Sequence, residues 1–328
     1  MVKVSDLGER RVIELLQTYL DPFPQQAIPF GDDVAAVSLD NDRVAVLKTD
    51  MLVGDTDVPP GMTLRQAARK AVIMNISDFA AKAVQPTAVL VALGLPKHTV
   101  QEDVENIGCG LNEAVREHGA YIVGGDTGEA PCLVISCMVY GVATKSQLIP
   151  RSGAHPGDIL AVTGAFGNTS AGLKLLLDPC TAESKAKFLD AVYLPKARLQ
   201  EGLALGQTHT VSAAIDSSDG LAVSLYELQK QSHVGFELST VPIDEDVVKF
   251  ADANQLDPVD LALYGGEEYE LVVTVRPEGW TKACHAIHGV GGELIAIGTA
   301  TGKQDIMLCQ PGVDRKIRYK GWEHFKPR

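Results

Sequence analysis

The segment Tyr121-Ile122-Val123-Gly124-Gly125-Asp126-Thr127 is an apolar run that ends in an aspartate, where a hydrophobic core would take an apolar residue. Four further segments place aspartates in the same way: Gly31-Asp32-Asp33, Lys48-Thr49-Asp50, Asn75-Ile76-Ser77-Asp78 and Ile215-Asp216-Ser217-Ser218-Asp219-Gly220. So many carboxylates would repel one another unless cations or hydrogen bonds neutralise them. Hard oxygen ligands suit magnesium, which is bound by a few carboxylates together with substrate phosphates. The sequence therefore indicates chemistry on a metal-bound phosphate.

The chain of 328 residues carries a formal charge of −13 and has no block of Lys and Arg. This composition argues against nucleic acid and anionic membranes as partners, because both bind through clustered positive charge. The six cysteines form no CxxC pair, which disfavours structural zinc and a disulfide framework. The N-terminus shows no apolar signal-peptide core, and no run approaches the ~18 apolar residues of a membrane span. We expect a cytoplasmic protein.

Hydrophobic periodicity and turn residues predict alternating strands and helices in both halves of the chain. Two capping boxes predict helices near 63–84 and 99–118: Thr63 with Gln66, and Thr99 with Glu102. The strands predicted in the first half are 34–39, 43–48, 87–95, 120–123 and 132–143. Those predicted in the second half are 159–163, 211–216, 235–238, 269–275, 295–298 and 306–308, with helices at 221–231, 244–253 and 278–288.

A domain boundary is predicted in the segment 149–158, which combines Pro and Gly without hydrophobic periodicity. Residues 1–148 would form an N-terminal mixed-sheet domain, and residues 149–328 a C-terminal α/β domain. The fold class expected is therefore two α/β or α+β domains, and the chain is long enough for each to have its own core.

Each aspartate also has a simpler explanation than metal binding. Asp50 and Asp126 fit turns, which are the more common setting of a single strand-end aspartate. Asp78 differs, because its predicted helix is apolar nearly all round and Asn75 shares its face at i, i+3. An aspartate buried there needs an amide, a lysine or a metal ion as its partner. We favour metal ligation, since the other segments show no obvious basic partner.

The residues alone leave the phosphate and substrate contacts open. Standard nucleotide-binding motifs are absent. The loop 164–172 either offers backbone N–H groups to a phosphate or is a plain strand-to-helix connection. Arg151 either grips a phosphate bidentately or is a solvated loop residue. Trp322 is either a core residue or an aromatic wall for a substrate.

Nine motifs, in order along the chain, resemble the thiamine-monophosphate kinases, within the wider family that includes aminoimidazole-ribonucleotide synthetase and selenophosphate synthetase. They are GDD (31–33), KTD (48–50), NISD (75–78), GGDT (124–127), RSGAHPGD (151–158), TGAFGNTSAG (163–172), DSSDGL (216–221), GGEEYEL (265–271) and KGWEHF (320–325). GGDT and SDGL are similar across the wider family, whereas NISD, GGEEYEL and the last motif look like the kinase branch. The resemblance implies the two-domain aminoimidazole-ribonucleotide synthetase-like fold.

The resemblance further implies a homodimer that phosphorylates thiamine monophosphate to thiamine diphosphate with ATP and several Mg²⁺ ions. The N-terminal domain would bind ATP and magnesium and form the dimer, and the C-terminal domain would contribute phosphate and substrate contacts. The implied magnesium ligands are Asp33, Thr49, Asp50, Asp78, Asp126, Asp216 and Asp219. The implied ATP contacts are Gly125, Asp126, Arg151 and Ser218, and the implied thiamine contacts are Asp57, Glu267 and Trp322. The implied catalytic residues are Asp50, Asp78, Asp126 and Arg151.

Three positions depart from the pattern of the family. Bacterial members often carry His where Asp57 stands and Asp where Glu268 stands, so Asp55 is an alternative to Asp57. Lys48 stands where Ser is common, and either removes a hydroxyl from the metal site or supplies charge near it. Two other functions compete with the kinase: an amide-activating ATP-dependent enzyme of the same superfamily, and a non-catalytic acidic metal-binding protein.

Overall fold

The structure is a computed structural model that describes residues 2–310 and 312–325. The first half builds a six-stranded sheet with the spatial order β1-β2-β3-β6-β4-β5. Its strands are β1 (Gln26–Ile28), β2 (Ala35–Ser38), β3 (Arg43–Val53), β4 (Pro86–Leu95), β5 (Tyr121–Glu129) and β6 (Val134–Thr144). Its helices are α1 (Val4–Leu7), α2 (Glu9–Gln17), α3 (Gly54–Asp57), α4 (Leu64–Ala81) and α5 (Gln101–Glu117). β4 and β5 pair in parallel, and the other described pairs in this sheet are antiparallel.

The two faces of this sheet differ in burial. Side chains alternate along β4 and β6, so that Val89, Val91 and their neighbours form a core with the apolar faces of α4 and α5. The other face is open: Met51, Leu90 and Val142 are 55%, 38% and 40% exposed. The edge strand β5 is exposed along its whole length. The single chain therefore leaves an apolar sheet face and a sheet edge uncovered.

The second half builds a seven-stranded sheet with the order β13-β12-β9-β11-β7-β10-β8. Its strands are β7 (Ile159–Val162), β8 (Val211–Asp216), β9 (Gly235–Leu238), β10 (Leu271–Val275), β11 (Ile295–Thr301), β12 (Ile306–Gln310) and β13 (Val313–Lys316). Its helices are α6 (Asn168–Leu177), α7 (Lys185–Tyr193), α8 (Leu199–Thr208), α9 (Leu221–Ser232), α10 (Glu245–Ala253), α11 (Pro258–Tyr264) and α12 (Trp280–Gly289). This mixed architecture agrees with the predicted fold class.

Helix α4 joins the two halves, because it packs against β3 and β6 on one side and against α8 and β8 on the other. The contact with α8 is close: a β-carbon at Gly202 would lie 2.0 Å from the carbonyl oxygen of Ala80. One buried apolar cluster consequently contains Phe79, Val139 and Ala214 together. The expectation of two separate cores is wrong in this respect, although a second cluster lies wholly in the second half.

Several predicted elements are confirmed closely, and others are not. Thr63 caps α4 as expected: its hydroxyl accepts from the Gln66 N–H at 3.2 Å, and the Gln66 side chain accepts from the Thr63 N–H at 2.9 Å. The box predicted at Thr99 is wrong, since Val100 precedes α5 and its N–H donates to Asp103. Part of the loop 164–172 is helical, because α6 begins at Asn168. In the described part of the chain, no helix is long and apolar enough to cross a membrane.

Candidate active site

Three buried carboxylates meet where the two sheets approach each other. Asp33 precedes β2, Asp78 lies on α4 and Asp216 ends β8; they are only 3%, 6% and 3% exposed. Each offers a carboxylate oxygen, and these oxygens all lie within 4.8 Å of one another. The structure thus brings together three of the seven predicted magnesium ligands, and we call Asp33, Asp78 and Asp216 the aspartate cluster.

Polar residues on the otherwise apolar helix α4 organise this cluster. Ser77 donates its hydroxyl to Asp216 Oδ2 at 2.6 Å. Asn75 accepts from the backbone N–H of Asp50 at 2.9 Å and donates to the Ala71 carbonyl at 3.0 Å. Asn75 and Asp78 thus share a face of α4, as predicted, and this face contacts β3 at Asp50. The contact holds Asp50 beside the aspartate cluster.

Asp32, Asp33, Asp50 and Asp78 have basic partners, so the expectation that the aspartates lack them is wrong for these four residues. The Lys48 ammonium lies 3.2 Å from Asp50 Oδ1 and 3.0 Å from Asp78 Oδ2. Lys82 lies 2.7 Å from a carboxylate oxygen of both Asp32 and Asp33. The sequence signal for Lys82 was a lysine within the apolar pattern of the helix predicted near 63–84, where a long cationic side chain is buried only if it is paired.

Arg151 is paired with aspartates of the first half, so it is not a solvated loop residue. Its Nε donates to Asp33 Oδ1 at 2.8 Å, its Nη2 contacts the same oxygen, and its backbone N–H donates to Asp32 Oδ2 at 2.9 Å. A guanidinium held in this way fixes the loop before β2 against the start of the second half.

The carboxylates of the cluster differ in their tendency to ionise. Burial opposes the charge on Asp33, but Arg151 and Lys82 outweigh it and hold the pKa of Asp33 below its usual range. Burial raises the pKa of Asp78 despite Lys48, and burial with the charge of Asp33 raises the pKa of Asp216 to about 6. Burial also raises the pKa of the neighbouring Asp219 to about 7. Burial thus disfavours the ionised forms of Asp78, Asp216 and Asp219, and a bound cation would favour those forms.

A buried hydroxyl next to Asp216 fits the requirements of a magnesium site. Ser217 is fully buried and its hydroxyl has no hydrogen-bond partner, whereas Asp33 Oδ2 is paired with Lys82 at 2.7 Å. A buried oxygen left unpaired is costly, and magnesium prefers hard oxygen donors such as hydroxyls and carboxylates. A cavity of about 250 Å³ opens on the side of Asp33, lined by Phe30, Asp33, Lys48 and Thr49 among others.

Asp126 and Gly125 lie away from the aspartate cluster in the same chain. Both are exposed on β5. The register runs from Asp126 across β4 and β6 to Met51 on β3, which is three strand spacings or roughly 14 Å. Gly125 is required by the sheet itself, because a β-carbon there would lie 1.9 Å from the Val91 carbonyl oxygen.

The glycine-rich loop 164–172 directs its amides at a protein carboxylate. Glu268 Oε1 accepts from the backbone N–H of Gly167 at 2.7 Å and of Thr169 at 3.1 Å, at the N-terminus of α6. Burial raises the pKa of Glu268 to about 7. Ser218, the remaining predicted ATP contact, is exposed, and its carbonyl accepts from the N–H of Glu267.

The predicted thiamine contacts fall into two groups. Lys70, whose side chain is 1% exposed, lies 2.5 Å from Glu267 and donates to the Asp57 carbonyl at 2.9 Å. The Asp57 carboxylate accepts from the Val53 N–H at 2.7 Å, while Asp55 is exposed. Trp322 is 40% exposed, which excludes a fully buried core position, and its backbone N–H donates to the Asp219 carbonyl at 3.2 Å.

The turn that carries Glu267 is strained. Glu267 and Tyr269 have φ values of 65° and 53°, in the left-handed region that non-glycine residues rarely adopt. Backbone bonds to Ser217 and Ser218 hold the turn in place. Such strain concentrates at functional sites, where surrounding structure enforces it.

Comparison with known proteins places this geometry in a family. The profiles of the AIR synthase related protein family match residues 31–143 (N-terminal domain) and 155–308 (C-terminal domain). The thiamine-monophosphate kinase of Nitrosopumilus maritimus is 35% identical, with 98% of this chain and 100% of that protein covered. That of Pyrococcus horikoshii is 34% identical, with 98% of each covered. A solved structure of AaThiL complexed with AMPPCP and TMP covers 99% of both chains, with a TM-score of 0.85 and 25% identity.

Proposed function

The chain belongs to the thiamine-monophosphate kinases of the AIR synthase related family, and from this we propose that it transfers the γ-phosphate of ATP to thiamine monophosphate. The products are thiamine diphosphate and ADP. The observation that carries this function is the match to curated kinases along nearly the whole chain. A neighbour of the same fold holds an ATP analogue and TMP together, which supports the two substrates.

The aspartate cluster is the proposed magnesium site, with Asp50, Thr49 and Asp219 as further ligands at its edge. Magnesium would neutralise the phosphates that must approach one another. The residues of the chain position the groups: Ser77 orients Asp216, and Arg151 with Lys82 orients Asp33. The acceptor is a phosphate oxygen that is largely ionised near neutral pH, so no side chain is needed as a general base.

Direct in-line transfer is the mechanism we propose, because the site needs only to position two phosphates. A chiral γ-phosphate tests it. Inversion at phosphorus is expected, whereas net retention or a trapped phosphorylated side chain would show a two-step route.

We propose that Trp322 and Glu267 contact thiamine, and that Ser218 contacts ATP. Trp322 presents partly exposed aromatic surface beside Asp219, and Glu267 stands on the strained turn next to Ser218. Asp57 is proposed to position the thiamine contacts. Its carboxylate accepts from the Val53 N–H at the start of α3, and its carbonyl accepts from Lys70, which also pairs with Glu267. Asp55, which is exposed, remains the alternative side-chain contact.

A homodimer is the proposed assembly. The exposed edge strand β5 and the open apolar face with Met51, Leu90 and Val142 would be covered by a second copy of the chain. In such a dimer, Asp126 and Gly125 are proposed to complete the phosphate site of the partner subunit. This proposal follows from the separation of β5 and β3 within one chain.

Two organisational proposals complete this view. Residues 1–148 and 149–328 are the proposed domains, with ATP and dimer contacts mainly in the first and substrate contacts in the second. The cytoplasm is the proposed location, because six free thiols suit a reducing compartment.

The function is tested by incubating the protein with Mg²⁺, ATP and thiamine monophosphate and separating the products. Thiamine diphosphate is expected, and Asp78→Asn should lower kcat by roughly 10² or more, as when a preorganised electrostatic group is removed. Asp178→Asn, which alters an exposed acid paired with Lys174, is the matched control and should leave kcat unchanged. ATP hydrolysis without thiamine diphosphate would refute the kinase and favour the amide-activating alternative.

A further inference from the structure

Lys48 occupies a distinctive position among the cations of the active site. Lys82 and Arg151 bind Asp32 and Asp33, at the wall of the site. Lys48 lies instead between Asp50 and Asp78, and its side chain is 19% exposed. Among the described residues, no other lysine or arginine forms an ion pair with either of these two aspartates.

The Lys48 ammonium occupies the space between two proposed metal ligands. Lys48 Nζ lies 3.2 Å from Asp50 Oδ1 and 3.0 Å from Asp78 Oδ2. A divalent ion held by these two carboxylates would compete with the ammonium for the same oxygens. The two cations are therefore alternatives as partners of Asp50 and Asp78.

Lys48 supplies a positive charge that the other two cations do not bring to Asp50 and Asp78. Lys82 and Arg151 pair with Asp32 and Asp33, whereas Lys48 pairs with Asp50 and Asp78. Without Lys48, these two buried or half-buried carboxylates would lose their ion-pair partner, and a divalent ion could replace it.

We propose that Lys48 is a built-in cation of this site, which takes the place of one divalent ion and holds Asp50 and Asp78 together when no nucleotide is bound. The proposal rests on the magnesium role assigned above to the aspartates. It concerns the nucleotide-free protein, and further ions can enter with ATP. Lys48 is thus a positioning residue that reduces the requirement for metal.

Counting metal ions tests the proposal. Mn²⁺ is titrated into nucleotide-free wild-type protein and into Lys48→Ser, and free Mn²⁺ is measured by electron paramagnetic resonance. We expect one bound ion per wild-type chain and two per Lys48→Ser chain, with the added site roughly 10-fold or more tighter than any second site of the wild type. Lys48→Arg keeps the charge and should retain one ion. An unchanged number and affinity in Lys48→Ser would overturn the proposal.

Lys187→Ser is the matched control. Lys187 also lies between two aspartates, 2.6 Å from Asp244 and 2.9 Å from Asp246, but its side chain is 45% exposed. Solvated carboxylates there should not gain an ion. An equal gain in Lys187→Ser would show a general effect of lost positive charge and would contradict the specific role of Lys48.

Thermal unfolding supplies a readout independent of ion counting. In EDTA, Lys48→Ser should unfold at a lower temperature than Lys48→Arg, and Mg²⁺ should raise the melting temperature of Lys48→Ser and so remove the difference. If Lys48→Ser does not fold, Lys48→Gln is used, because a neutral polar chain of similar length keeps the packing. A response to Mg²⁺ no larger than that of the wild type would count against the proposal. Neither measurement uses turnover, so loss of the kinase function and loss of this role are separate results.

Discussion

Two lysines, Lys70 on α4 and Lys82 directly after its last residue, illustrate how single residues build this site. The side chains of Lys70 and Lys82 are 1% and 0% exposed, and each bridges the two halves of the chain. Lys70 joins Asp57 to Glu267, while Lys82 joins Asp32 and Asp33 to the Ala214 carbonyl on β8. Removing one partner of a buried pair typically costs about 3–5 kcal/mol, because a charge is left uncompensated. These lysines therefore hold the two halves of the chain together and also balance the charge of the buried carboxylates.

Trp322 provides a prediction at the same scale. Its partly exposed ring can stack on the cationic thiazolium or the pyrimidine of thiamine monophosphate, a contact worth about 0.5–2 kcal/mol. We expect Trp322→Ala to raise KM for thiamine monophosphate by roughly 2- to 30-fold and to leave KM for ATP nearly unchanged. Steady-state kinetics with each substrate varied in turn measure both constants.

The other tryptophan is the control for Trp322. Trp280 packs against the main buried cluster, so Trp280→Ala should lower the melting temperature with little effect on either KM. If Trp322→Ala behaved like Trp280→Ala, the ring would have a structural role, and we would withdraw it from the substrate site.

At the scale of elements, the N-terminus of helix α6 is capped by a residue from a distant turn, Glu268. Its N-terminus points amide groups at Glu268, which stands between two left-handed residues on the strained turn. The carboxylate occupies the position that a helix N-terminus otherwise offers to a bound anion. The glycine-rich loop is therefore fixed to the turn that carries Glu267, and both are held against the loop of Ser217 and Ser218.

The protonation of Glu268 predicts a pH dependence of stability. Its folded pKa of about 7 lies above the ordinary value of 4.5, chiefly because of burial. The folded state then binds the proton more tightly than the unfolded state, so the contribution of Glu268 to stability is full below pH 4.5 and is lost as the pH rises through about 7. Glu268→Gln keeps an oxygen for both amides but does not ionise. The free energy of unfolding of the variant, relative to the wild type, should therefore increase between pH 5.5 and pH 8.5.

Urea unfolding at these two pH values measures the effect. Glu14→Gln, at an exposed acid paired with Arg11, is a control whose difference from the wild type should not change with pH. A pH-independent difference for Glu268→Gln would mean that the carboxylate is ionised throughout this range and is stabilised by the helix.

At the scale of the whole molecule, the proposed dimer would give Asp126 a role. Within one chain, β5 lies three strand spacings from β3, which separates Asp126 from the aspartate cluster. A two-fold dimer presents the same surface of both subunits to each other, and it can supply Asp126 to the opposite site.

Mixed dimers test this arrangement. Asp126→Asn and Asp78→Asn are each expected to be nearly inactive. If Asp126 acts in the partner subunit, co-expression of both variants should restore about a quarter of the wild-type activity, because half of the randomly paired dimers then contain one intact site. Separately purified variants that are mixed without subunit exchange are the control. No recovery in confirmed mixed dimers would place Asp126 in the site of its own chain, or outside any site.

Local chemistry in the chain was sufficient to predict many elements. Strands 211–216 and 235–238 match β8 and β9 at both ends, and the Thr63 box marks the start of α4. These features depend on neighbouring residues, whose periodicity and capping act over a few positions. The motifs also indicated the family, the fold class and the kinase function, because their residue types and order are visible without coordinates.

The pairing of charges depended on the tertiary structure. Lys82 is 132 positions from its partner Ala214, and Arg151 is 118 positions from Asp33, so no local pattern links them. The same holds for the amides of α6, which bind Glu268 instead of a free phosphate, and for the separation of Asp126 from the aspartate cluster. The sequence shows which groups are charged, but only the packing of α4 between two sheets decides which of them meet, since burial makes unpaired charge too costly to leave.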